Sequence, residues 1–119
     1  MATPHILIVE DDMMIAHDLE FIVLDAINAT TTVVSSIEGA MARVADDIDF
    51  AFLDIDVRDG KTYGLAEHLR ERGTLFAFVS GSNPSRLPGC LRDHPFISKP
   101  YVPVTIVEAL KHTLEGARA

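Results

Sequence analysis

Apolar positions along this chain fall into two alternating patterns. Short unbroken runs occupy His5–Val9 (HILIV), Thr31–Val34, Asp49–Asp54, Leu75–Val79 (LFAFV) and Pro95–Ser98. Between most of them lie longer segments whose apolar residues recur every three or four positions. The runs read as strands buried on both faces, and the spaced segments as helices. Met13–Asn28 sets Ile15, Leu19, Ile22, Val23, Ala26 and Ile27 on one helical face. Ile37–Ile48 turns Ile37, Met41, Val44 and Ile48 inward, with Ser36 as its cap. Gly64–Arg72 is a third helix ended by Gly73. Val102–Leu114 is a last one, with Val104, Val107, Leu110 and Leu114 available for burial.

The order is βαβαβαβ, an interruption, then βα. Strands alternating with helices call for an α/β fold, a parallel sheet covered on both faces. The interruption is Ser82–His94, SNPSRLPGCLRDH, where Pro84, Pro88 and Gly89 fall close together. A full helix is not expected there; a short helical turn or an irregular, mobile segment is.

Size and charge narrow the function. With 119 residues the chain forms one domain, and no linker or repeat divides residues 1–119. The formal net charge of −8 argues against nucleic acid, whose binding needs clustered Lys and Arg. It favours a metal cation or a basic protein surface. No apolar run approaches the roughly 20 residues that span a bilayer. The N-terminus lacks a basic region, and the single Cys90 has no internal partner. A cytoplasmic protein with no membrane partner is expected, as a monomer or weak dimer.

Ligands in open parallel sheets bind beyond the carboxyl ends of the strands. Those ends are chemically loaded. Glu10, Asp11 and Asp12 follow the first run, Asp54 ends the third, Ser80 follows the fourth, and Lys99 with Pro100 follows the last. With the first and third strands adjacent, several carboxylates converge on one small volume, which a hard cation such as Mg²⁺ would relieve. Carboxylates, Mg²⁺, a hydroxyl and a lysine suit a phosphoryl group. Taken singly, each is also an ordinary loop residue, and Asp12 serves equally well as a helix cap.

Jointly these residues resemble the receiver domain of response regulators, the bacterial two-component module that takes a phosphoryl group from a histidine. The resemblance covers the whole chain. It implies a CheY-like doubly wound sheet of five parallel strands, order 2-1-3-4-5, with helices on both faces and the fourth one here short or irregular. It implies Asp54 as phosphoacceptor, assisted by Ser80 and Lys99. Mg²⁺ would be held by Asp11 and Asp54 directly, by Glu10 through water, and by the Asp56 backbone carbonyl. Expected partners are a histidine kinase or histidine phosphotransfer protein and a downstream protein. No output domain is expected, so the chain would signal by conformational change or serve as relay or phosphate sink. It would be a phosphoacceptor rather than an enzyme with turnover.

Some positions depart from the common receiver pattern. Arg58 stands where many receivers have proline, four residues after the phosphoacceptor. The stretch Phe78-Val-Ser-Gly81, with the preceding Arg72-Gly-Thr-Leu-Phe-Ala, is similar to the FATGUY subgroup, which includes stand-alone alphaproteobacterial regulators. Val79 and Ser80 replace its Ala and Thr. Phe96, three residues before the lysine, and Tyr101, two after it, are candidate switch aromatics, Phe96 being equally readable as plain core. Asp56 and Ser82 are candidate tuners of hydrolysis, Asp56 being otherwise a solvated acid; Asp59-Gly60 reads as a turn.

Two other readings compete. Asp54-Ile-Asp56-Val resembles the nucleophile motif of haloacid-dehalogenase-type phosphatases, but there the acidic metal pair comes last in the chain, whereas here it comes first. A phosphorylation-independent binding module on the same fold would leave the acids without a duty. Electron transfer by a flavodoxin-like domain lacks a phosphate-cradling loop.

Overall fold

The computed structural model describes residues 3–44 and 46–118. In chain order the elements are β1 (His5–Val9), α1 (Met13–Ala26), β2 (Thr30–Val34), α2 (Ile37–Arg43), β3 (Phe50–Leu53), β4 (Asp56–Val57), β5 (Gly60–Lys61), α3 (Tyr63–Glu71), β6 (Leu75–Ser80), β7 (Phe96–Ser98) and α4 (Pro103–Arg118). Five strands form one parallel sheet in the order β2-β1-β3-β6-β7. Counting only these strands, that is 2-1-3-4-5, a doubly wound sheet. β4 and β5 form a separate antiparallel hairpin.

The unbroken apolar runs are where the sheet is covered on both sides. β3 is buried at every residue, and β1 and β6 at all but their first. Alternate residues feed two cores. Leu7, Val9, Ala51, Leu53, Phe76 and Phe78 pack with α2 and α3 through Ala40, Leu65, Ala66 and Leu69. Ile6, Ile8, Phe50, Phe52, Ala77 and Val79 pack with α1 and α4 through Leu19, Ile22, Val23, Ile106 and Leu110. β2 and β7 are the edges and are less buried, which fits the threonines of the first.

Helix boundaries shift from the sequence expectation. α1 ends at Ala26 because Ile27 turns extended, with φ −140°. α2 stops at Arg43 rather than Ile48. The Arg43 carbonyl accepts from Asp46 N–H at 2.9 Å, so the backbone turns there, and acids at 46 and 47 would oppose the negative end of the helix. Residue 45 lies outside the described residues. Ile48 still packs on the core from outside the helix. Met41 and Val104, expected inward, are exposed; Ala40 and Ile106 take the buried positions. Ser36 does cap α2, its hydroxyl accepting from Gly39 N–H at 3.0 Å. Gly73, at φ +75°, ends α3 in the left-handed region that favours glycine.

The proline-rich interruption forms two 3₁₀ turns, Pro84–Arg86 and Gly89–Leu91, in place of a fourth helix. Leu87 and Leu91 are buried in the core, and the Arg92 guanidinium donates to the Leu87 and Ser85 carbonyls, both at 3.0 Å. Among the described residues, no helix is long and apolar enough to cross a membrane.

Candidate functional site

The parallel register brings the strand ends together. Val9 pairs with Leu53, and Leu53 with Phe78, so the carboxyl ends of β1, β3 and β6 lie side by side at one edge, Ser80 being the last residue of β6. The Lys99 N–H bonds the Ser80 carbonyl at 3.0 Å, which carries the β6–β7 pairing one step further and places Lys99 at the same edge. Asp54 is fixed at its backbone by two bonds. Its N–H reaches the Val9 carbonyl at 2.9 Å, and its carbonyl accepts from the Thr62 hydroxyl at 2.7 Å.

Three carboxylates meet here. One oxygen from each of Glu10, Asp11 and Asp54 lies within 4.8 Å of the others. Glu10 is 1% exposed and Asp54 8%, whereas Asp11 faces solvent. Lys99 Nζ donates to Glu10 Oε1 at 2.6 Å and to Asp54 Oδ2 at 3.2 Å. Burial pushes the Glu10 carboxyl up to about 7; the Lys99 ammonium and the Asp12 N–H oppose this, and the Asp54 charge adds to it. Burial alone would lower the Lys99 ammonium, but the Glu10 hydrogen bond and the two carboxylate charges outweigh it and hold it above its ordinary value.

Three carboxylates facing one ammonium leave an excess of negative charge in a partly desolvated pocket. Clustered carboxylate oxygens are the donor set that a hard divalent ion takes, so the residues fit Mg²⁺. The Asp56 carbonyl lies outside the hairpin ladder. The Ile55 carbonyl takes the hairpin bond from Thr62 N–H, so Asp56 opposite Lys61 falls at the wide pair, whose backbone groups point out of the ladder.

The other expected residues fall as follows. Asp12 caps α1, accepting from Met14 N–H at 3.0 Å and Ile15 N–H at 3.3 Å, the plain reading of that acid. Ser80 is buried at the site edge, its oxygen accepting from Ser82 N–H at 3.2 Å. The Asp56 side chain is not left unengaged. It pairs with Lys61 and accepts from the Ser82 hydroxyl at 3.0 Å, and these partners, the lysine foremost, hold its carboxyl below the usual range. Arg58 donates to the Ser35 hydroxyl. The Phe96 ring is half-buried against the core, 6.3 Å from the Phe78 ring. Tyr101 donates to Asp18 Oδ2 of α1 at 2.7 Å; burial first, then this bond, push its phenol upward.

Sequence reasoning missed three contributors: Thr62, Lys61 and Asp59. Thr62 precedes a helix and looks like a cap, yet makes no capping bond. The absence of a Glu or Gln three residues on is the one hint that its hydroxyl serves elsewhere. Lys61 and Asp59 lie on a hairpin too short for an alternating pattern to reveal.

No family model matches the chain, and no curated protein matches it. Solved structures do. A CheY-like response regulator receiver domain protein from Methanospirillum hungatei is 22% identical, with 98% of each chain covered and a TM-score of 0.85. A two-component response regulator from Clostridium difficile is 18% identical, with 98% of this chain and 100% of that one covered, TM-score 0.87. The non-phosphorylated HemR receiver domain from Leptospira biflexa is 26% identical over 94% of each chain, TM-score 0.79. The fold of this chain is that of CheY-like response regulator receiver domains.

Proposed function

We propose that the chain is a receiver of a two-component phosphorelay, phosphorylated on Asp54. The observation that carries this is a buried aspartate at the sheet's carboxyl edge, with Lys99 Nζ 3.2 Å from its oxygen and two further carboxylates beside it. A phosphohistidine is presented at this edge, and an Asp54 oxygen attacks its phosphorus. The new P–O bond forms as the P–N bond breaks, and the electron pair leaves on the imidazole nitrogen, which takes up a proton. Lys99 neutralises phosphoryl oxygens as they crowd the carboxylate, and the Ser80 hydroxyl can donate to another. Glu10, Asp11, Asp54 and the Asp56 carbonyl would hold Mg²⁺, which supplies charge neutralisation on the transferring oxygens.

A protein surface adjoins this edge. Asp11 and Asp12 lead straight into α1, whose outer face carries Met14 at 85% exposure, Phe21 at 69% and Leu24 at 48%. These recur at helical spacing, and Asp18, Glu20 and Asp25 rim them. An exposed apolar stripe with an acidic rim fits a helical partner with a basic rim, and we assign it to the phosphohistidine donor. The two 3₁₀ turns where a fourth helix would run, together with Phe78-Val-Ser-Gly81, support the FATGUY resemblance. Output then passes to a second protein, to a further relay step, or ends as a phosphate sink.

The phosphatase reading needs Asp56 as general acid. Its carboxylate is instead paired with Lys61 and held below the usual range, so it is a poor proton donor. The test is labelling with a small phosphodonor such as acetyl phosphate in the presence of Mg²⁺. One acid-stable, base-labile phosphoryl group per chain is expected, lost in Asp54→Asn. Unchanged incorporation in Asp54→Asn, or multiple turnover of a generic phosphatase substrate, would overturn the assignment.

A further inference from the structure

The β4–β5 hairpin begins two residues beyond Asp54, and the structure shows what holds it in place. Its tip is Arg58-Asp59, followed by Gly60 at φ +133°, a conformation that favours glycine. The tip reaches across to the start of α2. Asp59 Oδ1 accepts from Ile37 N–H at 2.7 Å, and Oδ2 from Glu38 N–H at 3.0 Å. The neighbouring Arg58 donates to the Ser35 hydroxyl. A Cβ on Gly60 would sit 3.7 Å from Ile37 Cδ1, so the hairpin rests on that side chain. The first N–H groups of a helix have no partner within it. Here Ser36 satisfies Gly39, and Asp59, twenty-odd residues along the chain, satisfies the two that Ser36 does not.

At its other end the same hairpin begins with Asp56, one residue beyond Ile55 and two beyond Asp54. Asp56 is tied to Lys61 and to Ser82 after β6. The hairpin is therefore fixed at both of its ends, to the start of α2 and to the segment after β6. Among its α2-side contacts, the two backbone bonds fall on one exposed carboxylate, and these donors hold it below the usual carboxylate range.

We propose that Asp59 is a positioning residue for the metal and phosphoryl site: it pins the hairpin, and with it the Asp56 carbonyl, to the first turn of α2. The proposal rests on the receiver reading of the site. Without Asp59 the carbonyl keeps its chemistry and loses its fixed place, which weakens metal binding before any chemistry is asked of Asp54. The coupling is reciprocal, so a cation at the site steadies the start of α2.

Calorimetric titration with Mg²⁺ alone, without phosphodonor, tests this in four full-length chains. Asp59→Ala should bind Mg²⁺ roughly tenfold more weakly than wild type, the low end for loss of an outer-shell partner. Asp59→Asn keeps an acceptor oxygen and should recover part of that affinity. Ser36→Ala removes a cap from the same helix without touching the hairpin, and should bind like wild type. Amide exchange supplies a second readout. Mg²⁺ should slow exchange at Ile37 and Glu38 in wild type and not in Asp59→Ala. Wild-type affinity in Asp59→Ala overturns the proposal, as does an equal loss in Ser36→Ala, which would trace the effect to the helix and not the hairpin. Failure of wild type to bind Mg²⁺ overturns the metal assignment and the proposal together, a result distinct from either of the others.

Discussion

Thr62 offers a sharp test of how the phosphoacceptor is held. The residue is fully buried, and its hydroxyl donates to the Asp54 carbonyl at 2.7 Å. Thr62→Val keeps the shape and removes the donor. A buried acceptor deprived of its partner costs about 1–3 kcal/mol. The methyl that replaces the hydroxyl returns up to about 0.8 kcal/mol. The net expectation is a loss of up to about 2 kcal/mol, a fall in Tm of up to roughly 10 °C for a domain of this size. Urea unfolding should show the midpoint falling with an unchanged slope, the mark of a change in stability alone. The bond also sets the backbone from which the Asp54 carboxylate projects, so acetyl phosphate labelling should slow in Thr62→Val. Thr62→Ser loses a methyl but keeps the hydroxyl, and should label at the wild-type rate. If Thr62→Val unfolds at the wild-type urea concentration and labels at the wild-type rate, the hydroxyl is not holding Asp54. If Thr62→Ser labels as slowly as Thr62→Val, packing and not the hydrogen bond is responsible.

Three further outcomes are expected. Phe21→Glu on the exposed face of α1 should leave acetyl phosphate labelling intact and slow transfer from a phosphohistidine protein roughly tenfold, as loss of an interface anchor does; equal rates for both donors would remove α1 from the docking surface. Asp56→Asn should preserve phosphorylation but change the lifetime of the aspartyl phosphate, followed by decay of label after the donor is removed; an unaltered lifetime would leave Asp56 as a tether to Lys61 and Ser82 only. His94 stacks on Phe76, with ring centroids 4.3 Å apart, and burial first, then the Arg70 charge, lower its imidazole below 6.5. The unfolded chain therefore binds this proton more readily than the native one, so the contribution is intact above pH 6.5 and is lost as pH falls from there through the lowered value. His94→Phe keeps the stacking and should flatten that part of the stability–pH curve measured by urea unfolding; an unchanged curve would assign the slope to other groups.

The parts of the fold legible in the sequence are those where burial leaves no choice. β1, β3 and β6 are covered on both faces, and only apolar residues fit there, so the runs HILIV, AFL and LFAFV announce themselves. The helical faces were less legible because small residues carry the closest contacts. Ala16 and Ala40 are fully buried where larger neighbours were expected to point inward. Alanine says little in a hydropathy pattern, yet it lets a short helix approach the sheet. In α4 the spacing of Val104, Val107, Leu110 and Leu114 holds for the last three and is two residues off at the start, where Ile106 takes the core position and Val104 the solvent. The interruption at 82–94 was recognisable as non-helical from its prolines. Its anchoring by Arg92 was not, because a guanidinium bound to carbonyls five and seven residues back leaves no periodic trace.

The site divides along the same line. Four strand ends each carry a residue suited to phosphoryl chemistry, and topology alone brings them together, so the sequence pattern places Glu10, Asp54, Ser80 and Lys99 at one edge. The acids of Asp54-Ile-Asp-Val-Arg-Asp-Gly60 separate by role in the sequence, as phosphoacceptor, candidate tuner and turn residue, but not by the partner each one faces. In three dimensions they face three ways. Asp54 turns to Lys99, Asp56 to Lys61 and Ser82, and Asp59 to the backbone of α2. Two-residue strands explain the spread: a reversal between Val57 and Gly60 sends each acid toward a different element within a short length of chain. A sequence pattern reports which face of a long element a residue occupies. It reports nothing about a hairpin this short, where direction is set by contacts made dozens of residues away. That is why an exposed aspartate in a turn, the most ordinary of positions, has two backbone partners at the start of a helix for which the sequence predicts only the Ser36 cap.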